Sequence, residues 1–393
     1  MQASLLRAGV RQLVLAVWHF LLRTFLPKRT RKKSGDPQRI LLINGAHMGD
    51  VVIATSLLPV LRSAFPHAEI GFLTATWSNP VVKNHPDVAY THCVDHWRMN
   101  RGKANAFQKR IHYWKTRRRT LMEIRALSYD ISVSMHPWRA DFLPLTWQAA
   151  IPTRVAFRGS PSAALATVLA DYPNHVRFIH QSDCQLGLLR ALGIKEEHLR
   201  QRRSTLAPSS REAVSEVCDL LGLARMGDAP YSVIHMGSGN LMRELPGTFW
   251  REMTSRLARG HFVLFTGTGA REAANATAAM AGLPNCVNAC GRLSWEGFVA
   301  AIRHAHTFYG VDSLAGHVAA AVGTKCVAMY TGITNPARFR PGSASSTVWS
   351  NALPCSACGR QFGCAEMTCM KGFDPDRILQ IEMSPPLKKA QAS

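Results

Sequence analysis

The chain has 393 residues, 47% of them hydrophobic, with a formal net charge of +22. That length is too great for one ordinary domain, and that apolar content excludes a largely disordered chain. Residues 1–39 hold nine Lys/Arg against Asp36 and residues 97–125 hold ten against Glu123, so two short segments carry +17 of the charge and the rest is near balance.

Residues 1–38 form a basic extension. Leu13 to Leu26 is apolar but broken by His19 and Arg23, and it ends in Pro27-Lys28-Arg29. Spanning a bilayer takes roughly 20 uninterrupted apolar residues. A secretory leader would end in small residues at a cleavage site. The expectation is an amphipathic basic helix on an anionic membrane surface, followed by a polybasic linker. A solvated extension without a partner is the alternative.

From Arg39 the pattern alternates strand and helix. Strands are expected at Arg39–Ile43, Glu69–Thr74, Tyr129–Met135 and Arg154–Phe157, with a helix from about Val51 to Phe65 and a long basic helix or helix pair over 100–127. Residues 195–229 are polar and read as a linker with a leading helix. The alternation then restarts, with strands at Tyr231–His235, His261–Thr266, Cys286–Asn288, Thr307–Val311 and Cys326–Tyr330. Helices are expected near 248–258, 270–281, 294–304 and 314–322. Two doubly wound α/β halves follow, 39–205 and 206–375, with a tail over 376–393. Ligands in such sheets sit at the carboxyl ends of strands.

Three loops at such ends carry candidate chemistry. Asn44-Gly45-Ala46-His47-Met48-Gly49-Asp50 opens a helix after the first strand. Its glycines permit tight turning, and Asp50 is either a functional carboxylate or a helix cap. It lacks the Gly-x-Gly-x-x-Gly dinucleotide pattern. His235-Met236-Gly237-Ser238-Gly239, followed by Arg243, offers small residues and a cation to a phosphate. Gly310-Val311-Asp312-Ser313-Leu314-Ala315-Gly316-His317 again joins strand to helix, where free amides bind phosphate. A capping Asp or Ser and a solvated His is the plainer reading there.

In combination these loops resemble glycosyltransferase family 9, the lipopolysaccharide heptosyltransferases. Gly45 to Pro59 is similar to that family's N-terminal motif, and Gly310 to Gly323 to its Asp-Ser turn, His and alanine-rich helix. The resemblance spans about residues 39–372 in motif order. It implies a GT-B fold, two facing Rossmann-like domains with a cleft between them, and an inverting transferase that needs no cofactor for catalysis. The donor would be a nucleotide-sugar, typically ADP-heptose, held by Ser238, Arg243, Glu272, Asp312, Ser313 and His317. The acceptor would be the anionic inner core of lipopolysaccharide, and Asp50 matches the family's general base. The basic segment would contact that acceptor through Arg117, Arg118 and Arg119, or contact membrane. The implied location is the cytoplasmic face of the inner membrane. Three departures from the family stand out: Arg243 for Lys, Leu245 for Trp and Leu314 for Gly. A different nucleotide-sugar or a protein acceptor is the alternative within the enzyme class. A nucleic-acid-binding protein is the remote one, since the basic segments lack a stacking module or zinc-finger spacing.

Six cysteines are scattered singly, the usage of a reduced compartment. Cys355, Cys358, Cys364 and Cys369 crowd into fifteen residues, with the density of a structural zinc or iron site; unliganded thiols or a disulfide are the alternatives.

Overall fold

The computed structural model describes residues 35–135, 141–173, 178–351 and 353–383. The expected N-terminal amphipathic helix and most of the C-terminal tail lie outside the described residues. The chain divides into two compact units, Met1–Ala207 and Pro208–Ser393.

In the first unit, β1 (Arg39–Ile43) leads through a short loop into α1 (Met48–Ala54) and α2 (Leu58–Ala64). Then come β2 (Glu69–Thr74), β3 (Tyr90–Cys93), α3 (Ala106–Leu127), β4 (Ile131–Ser134), α4 (Leu143–Gln148), β5 (Thr153–Phe157), β6 (Val168–Ala170), α5 (Gln181–Ala191) and α6 (Glu196–Leu199). The six strands pair in the order β3-β2-β1-β4-β5-β6, and all pairs are parallel. The central strand β1 reads Arg-Ile-Leu-Leu-Ile and is buried after its first residue, as a strand covered on both faces must be.

The second unit repeats the plan. Its elements are α7 (Arg211–Leu221), β7 (Tyr231–His235), α8 (Gly247–Leu257), β8 (Phe262–Phe265), α9 (Gly269–Met280), β9 (Cys286–Asn288), α10 (Trp295–Arg303), β10 (Thr307–Val311), α11 (Leu314–Val322), β11 (Lys325–Tyr330), α12 (Pro336–Phe339), β12 (Ser346–Ser350) and α13 (Pro375–Met383). The order is β12-β11-β10-β7-β8-β9, again parallel throughout. Trp250 and Met253 of α8 bury against Ile234, Val263 and Tyr309 of the sheet.

Chain order reverses beside β1 in the first sheet and beside β7 in the second. Loops leaving adjacent strands at such a switch point diverge to opposite faces and open a crevice at the carboxyl ends. The 44–50 loop follows β1. The 235–246 and 312–317 loops follow β7 and β10, the pair flanking the second switch point.

Of the two readings of 100–127, a long helix or a helix pair, the structure shows one helix, started at Ala106 by a capping box in which Asn105 and Gln108 bond each other's backbone amides. Two differences from the sequence reading have simple causes. The polar stretch 195–229 holds α6 and α7, so less of it is linker than expected. The edge strands β3, β6 and β12 escaped notice because they are short and largely half-exposed.

Candidate functional site

In the first unit the loop after β1 is shaped by close packing. Asn44 is buried, donates its amide to Leu73 O at 2.9 Å, and accepts from Ala46 N at 3.2 Å through Oδ1. A Cβ on Gly45 would lie 2.7 Å from the ring of Phe142, so any side chain there would have to displace that ring. Trp77 Nε1 donates to Ala46 O at 3.2 Å and pins the loop from the β2 side. His47 occupies the N-cap of α1 in extended backbone, which leaves Asp50 in the first turn rather than capping it. Asn44 Nδ2 bonds the Asp50 backbone carbonyl at 3.1 Å. The Asp50 carboxylate is half-buried and makes no hydrogen bond or ion pair among the described residues.

Further polar groups gather past β2 and β3. Buried Asp95 accepts from Thr76 N (2.8 Å) and Thr76 Oγ1 (2.7 Å), and its Oδ2 lies 2.7 Å from His112 Nε2 of α3. Burial, reinforced by the Arg98 charge, pushes the His96 imidazole down to about 4. His96 packs its ring edge-on against Tyr113 and Phe142, which links α3 to the Gly45 loop.

The three arginines on α3 do not converge. Consecutive helical residues differ by about 100° in direction. Arg117 turns to Gln148 Oε1 at 2.7 Å and lies over the Trp114 ring, whereas Arg119 pairs with Glu123 at 2.8 Å. Arg118 is exposed and has neither kind of partner among the described residues.

In the second unit three of the six expected donor residues lock together, and a fourth, Glu272, lies over the neighbouring glycines. Ser238 Oγ donates to Asp312 O at 3.0 Å, tying the loop after β7 to the loop after β10. Arg243 Nε stands 3.3 Å from Asp312 Oδ2. Asp312 is buried, and desolvation raises its pKa despite the neighbouring guanidinium. Arg243 Nε and Asp312 Oδ2 face each other without a hydrogen bond between them. Glu272 caps the next loop, accepting from Thr268 N at 2.7 Å. Its carboxyl group fills the space above two glycines: a Cβ on Gly237 would lie 2.3 Å from Glu272 Cδ, and one on Gly267 would lie 2.6 Å from Oε2.

Ser313 and His317 complete the set on α11. Ser313 is the N-cap residue, yet its side chain makes no cap bond, and its buried Oγ has no hydrogen-bond partner among the described residues. A buried hydroxyl left unpaired at a helix N-terminus is a group that a bound anion would satisfy. His317 is buried rather than solvated. Leu314 begins the helix without positive φ, so its Cβ costs no backbone strain where the family has glycine. Leu245 joins the apolar core.

Two residues of this site were not anticipated. Glu244 Oε1 accepts from Ser238 N at 2.9 Å, and Arg271 grips Glu244 with two bonds of 2.6 and 2.8 Å. Their signal was present: each is a charge adjacent in sequence to a predicted site residue, in a loop or first turn at a strand's carboxyl end.

The crowded cysteines line a cavity of about 420 Å³ together with Gly332 and Met367. Among the described residues, no group of three or more His, Cys, Asp or Glu side chains is placed to hold a metal ion. The four thiols therefore share a loop without forming a ligand set.

Two parallel doubly wound sheets, each with its motif loops at a switch point, are the two Rossmann-like domains of the GT-B fold. Residues 117–367, well over half of the chain, match the model of glycosyltransferase family 9 (heptosyltransferase), and the chain belongs to that family. Lipopolysaccharide heptosyltransferase 3 of Escherichia coli is 23% identical over 311 residues, 78% of this chain and 84% of that relative. Lipopolysaccharide heptosyltransferase 1 of Pseudomonas aeruginosa is 25% identical over 328 residues, 81% and 86% of the two chains. The solved structure of E. coli ADP-heptose lipopolysaccharide heptosyltransferase II superposes with a TM-score of 0.67 at 20% identity, covering 88% of this chain and 99% of that one.

Proposed function

We propose that the protein is an inverting transferase that moves heptose from ADP-heptose to the inner-core region of lipopolysaccharide, with Asp50 as general base. What carries the reading is found in each unit by itself: a half-buried Asp50 carboxylate with no hydrogen bond or ion pair among the described residues at the first switch point, and a buried Ser313 hydroxyl with none at the helix N-terminus beside the second. Both curated relatives named above are lipopolysaccharide heptosyltransferases, and the solved one is described with ADP-heptose in its name.

In this reading the acceptor hydroxyl attacks the anomeric carbon from the face opposite ADP. Asp50 takes the hydroxyl proton as the new bond forms, and the bond from the anomeric carbon to the diphosphate oxygen breaks. Arg243, Ser313 and the first amides of α11 stabilise the charge that develops on the departing ADP. Ser238 and Asp312 hold those groups in place, His317 adds a donor to the diphosphate, and Glu272 takes the nucleoside. Arg118 meets the acceptor's carboxylates or phosphates directly, with Arg117 and Arg119 adding to the field. The enzyme works at the cytoplasmic face of the inner membrane, held there by its basic extension. No helix among the described residues is long and apolar enough to cross a membrane.

The test is Asp50→Asn with ADP-heptose and deacylated core glycan, read by mass. Transfer should fall by roughly a thousandfold or more, while ADP-heptose binds with nearly unchanged affinity. Turnover at the wild-type rate would remove Asp50 from the mechanism. Turnover with another sugar donor and none with ADP-heptose would transfer the reading to a different substrate.

A further inference from the structure

Helix α3 is held to its unit by one face only. Thr120 Oγ1 donates to Cys93 O, Thr116 Oγ1 donates to the Tyr113 carbonyl and accepts from Asp95 N, and Ile124 buries in the core. The opposite face is open. Phe107 (71% exposed), Ile111 (41%), Trp114 (61%) and Met122 (56%) are four of the seven large apolar side chains exposed among the described residues. Their offsets of four, seven and fifteen residues from Phe107 place them on one stripe of the helix. Arg118 lies within that stripe, with Arg110 along one edge and Lys115 along the other.

The charge around the stripe has one sign. Glu123 is the only acid in α3, and it is engaged by His92 at 3.0 Å and Arg119 at 2.8 Å. The aromatic groups are paired with cations: Arg98 and Arg110 each stand 4.8 Å from the Trp97 ring, and Arg117 stands 5.3 Å from that of Trp114. An apolar stripe rimmed by Lys and Arg, with indoles at the boundary, matches the zone where acyl chains meet anionic headgroups. A second copy of the chain would bring the same dense positive charge against itself, which costs association rather than favouring it.

We propose that the outer face of α3 is a membrane-docking surface, seating Phe107, Ile111, Trp114 and Met122 among acyl chains while Arg110 and Lys115 along its edges meet anionic phospholipid headgroups. This goes beyond the transferase reading and beyond the basic extension, because it assigns a folded element as a membrane contact in its own right.

The test uses the whole protein with vesicles of phosphatidylcholine and phosphatidylglycerol that contain no lipopolysaccharide, so its result is independent of donor and acceptor. Partition should exceed that onto pure phosphatidylcholine and should weaken with salt. Lipids brominated in the acyl chains should quench a part of the tryptophan emission that Trp114→Phe removes. The variant Phe107→Ser, Ile111→Ser, Met122→Ser should bind roughly tenfold more weakly and lose that quenching, with an unchanged melting curve. Should that variant fail to fold, the Trp114→Phe comparison decides alone. Bound protein without Trp114-dependent quenching would overturn the proposal, because the contact would then lie elsewhere, the basic extension included. A stripe variant that only dissociates a dimer, with vesicle binding intact, would overturn it as well.

Discussion

At the scale of single residues the candidate donor site is built on what two glycines lack. Glu272 rests its carboxyl group over Gly237 and Gly267, each at the end of a strand, where a Cβ would lie 2.3 and 2.6 Å from its atoms. The Gly237→Ala substitution must therefore displace Glu272, which also releases Thr268 N from its 2.7 Å bond. Calorimetric titration should show ADP bound roughly tenfold more weakly by this variant, with the far-ultraviolet spectrum unchanged. Wild-type affinity would show that Glu272 does not hold the nucleoside. Ser238, Arg243 and Asp312 were legible in the sequence because each lies in a short loop where a strand gives way to a helix. Glu244 and Arg271 were legible only as charges beside predicted site residues, since nothing in the linear order shows that a guanidinium twenty-seven positions on will fork a carboxylate. His317 lies on the helix where the sequence placed it, and its ring is buried, which sets aside the solvated alternative.

At the scale of elements, legibility followed burial. Strands β1, β7 and β10 lie at the sheet centres and read as near-continuous apolar runs, which tertiary packing demands of them. Strands β3, β6 and β12 lie at or beside the edges, where half-exposed side chains carry no such pattern. The cysteine-dense loop shows the opposite case, metal-site density in the sequence without three or more ligands placed together among the described residues. What that loop does contact is the donor-side loop: Asn240 Nδ2 donates to Gln361 Oε1 at 2.8 Å and to Gln361 O at 3.2 Å. Asn240 in turn caps the turn Leu241–Arg243 by accepting from Met242 N at 2.9 Å, and so helps to place Arg243. Gln361→Ala removes the stronger of the two exposed bonds. Affinity for ADP should fall by a few-fold, the effect of an exposed bond worth about 1 kcal/mol or less, with the melting temperature unmoved. An equal loss in the melting temperature would mean that the loop supports the fold rather than the site.

At the scale of the whole molecule, both units carry histidines that folding keeps neutral. Burial lowers His85, His92 and His96 in the first unit, the last to about 4. In the second unit burial lowers His261, and His235 to about 4, despite the nearby Glu244 carboxylate. A histidine titrates near 6.5 in the unfolded chain. Between about 4 and about 6.5 the unfolded state therefore binds more protons than the folded one, and stability falls as pH falls through that window. Each such histidine contributes a slope of up to about 1.4 kcal/mol per pH unit. The exposed carboxylates Glu69, Glu196 and Asp376 are held low by arginine partners, so their pairing is lost only in stronger acid. The histidine window thus opens first on acidification. Because it has members in both units, scanning calorimetry from pH 7 to pH 5 should show every transition moving down together. His235→Gln, which keeps a polar partner for Thr266 Oγ1 (3.1 Å from His235 Nδ1), should flatten the slope for the second unit alone. A second-unit transition equally acid-sensitive in that variant would assign the effect to other groups.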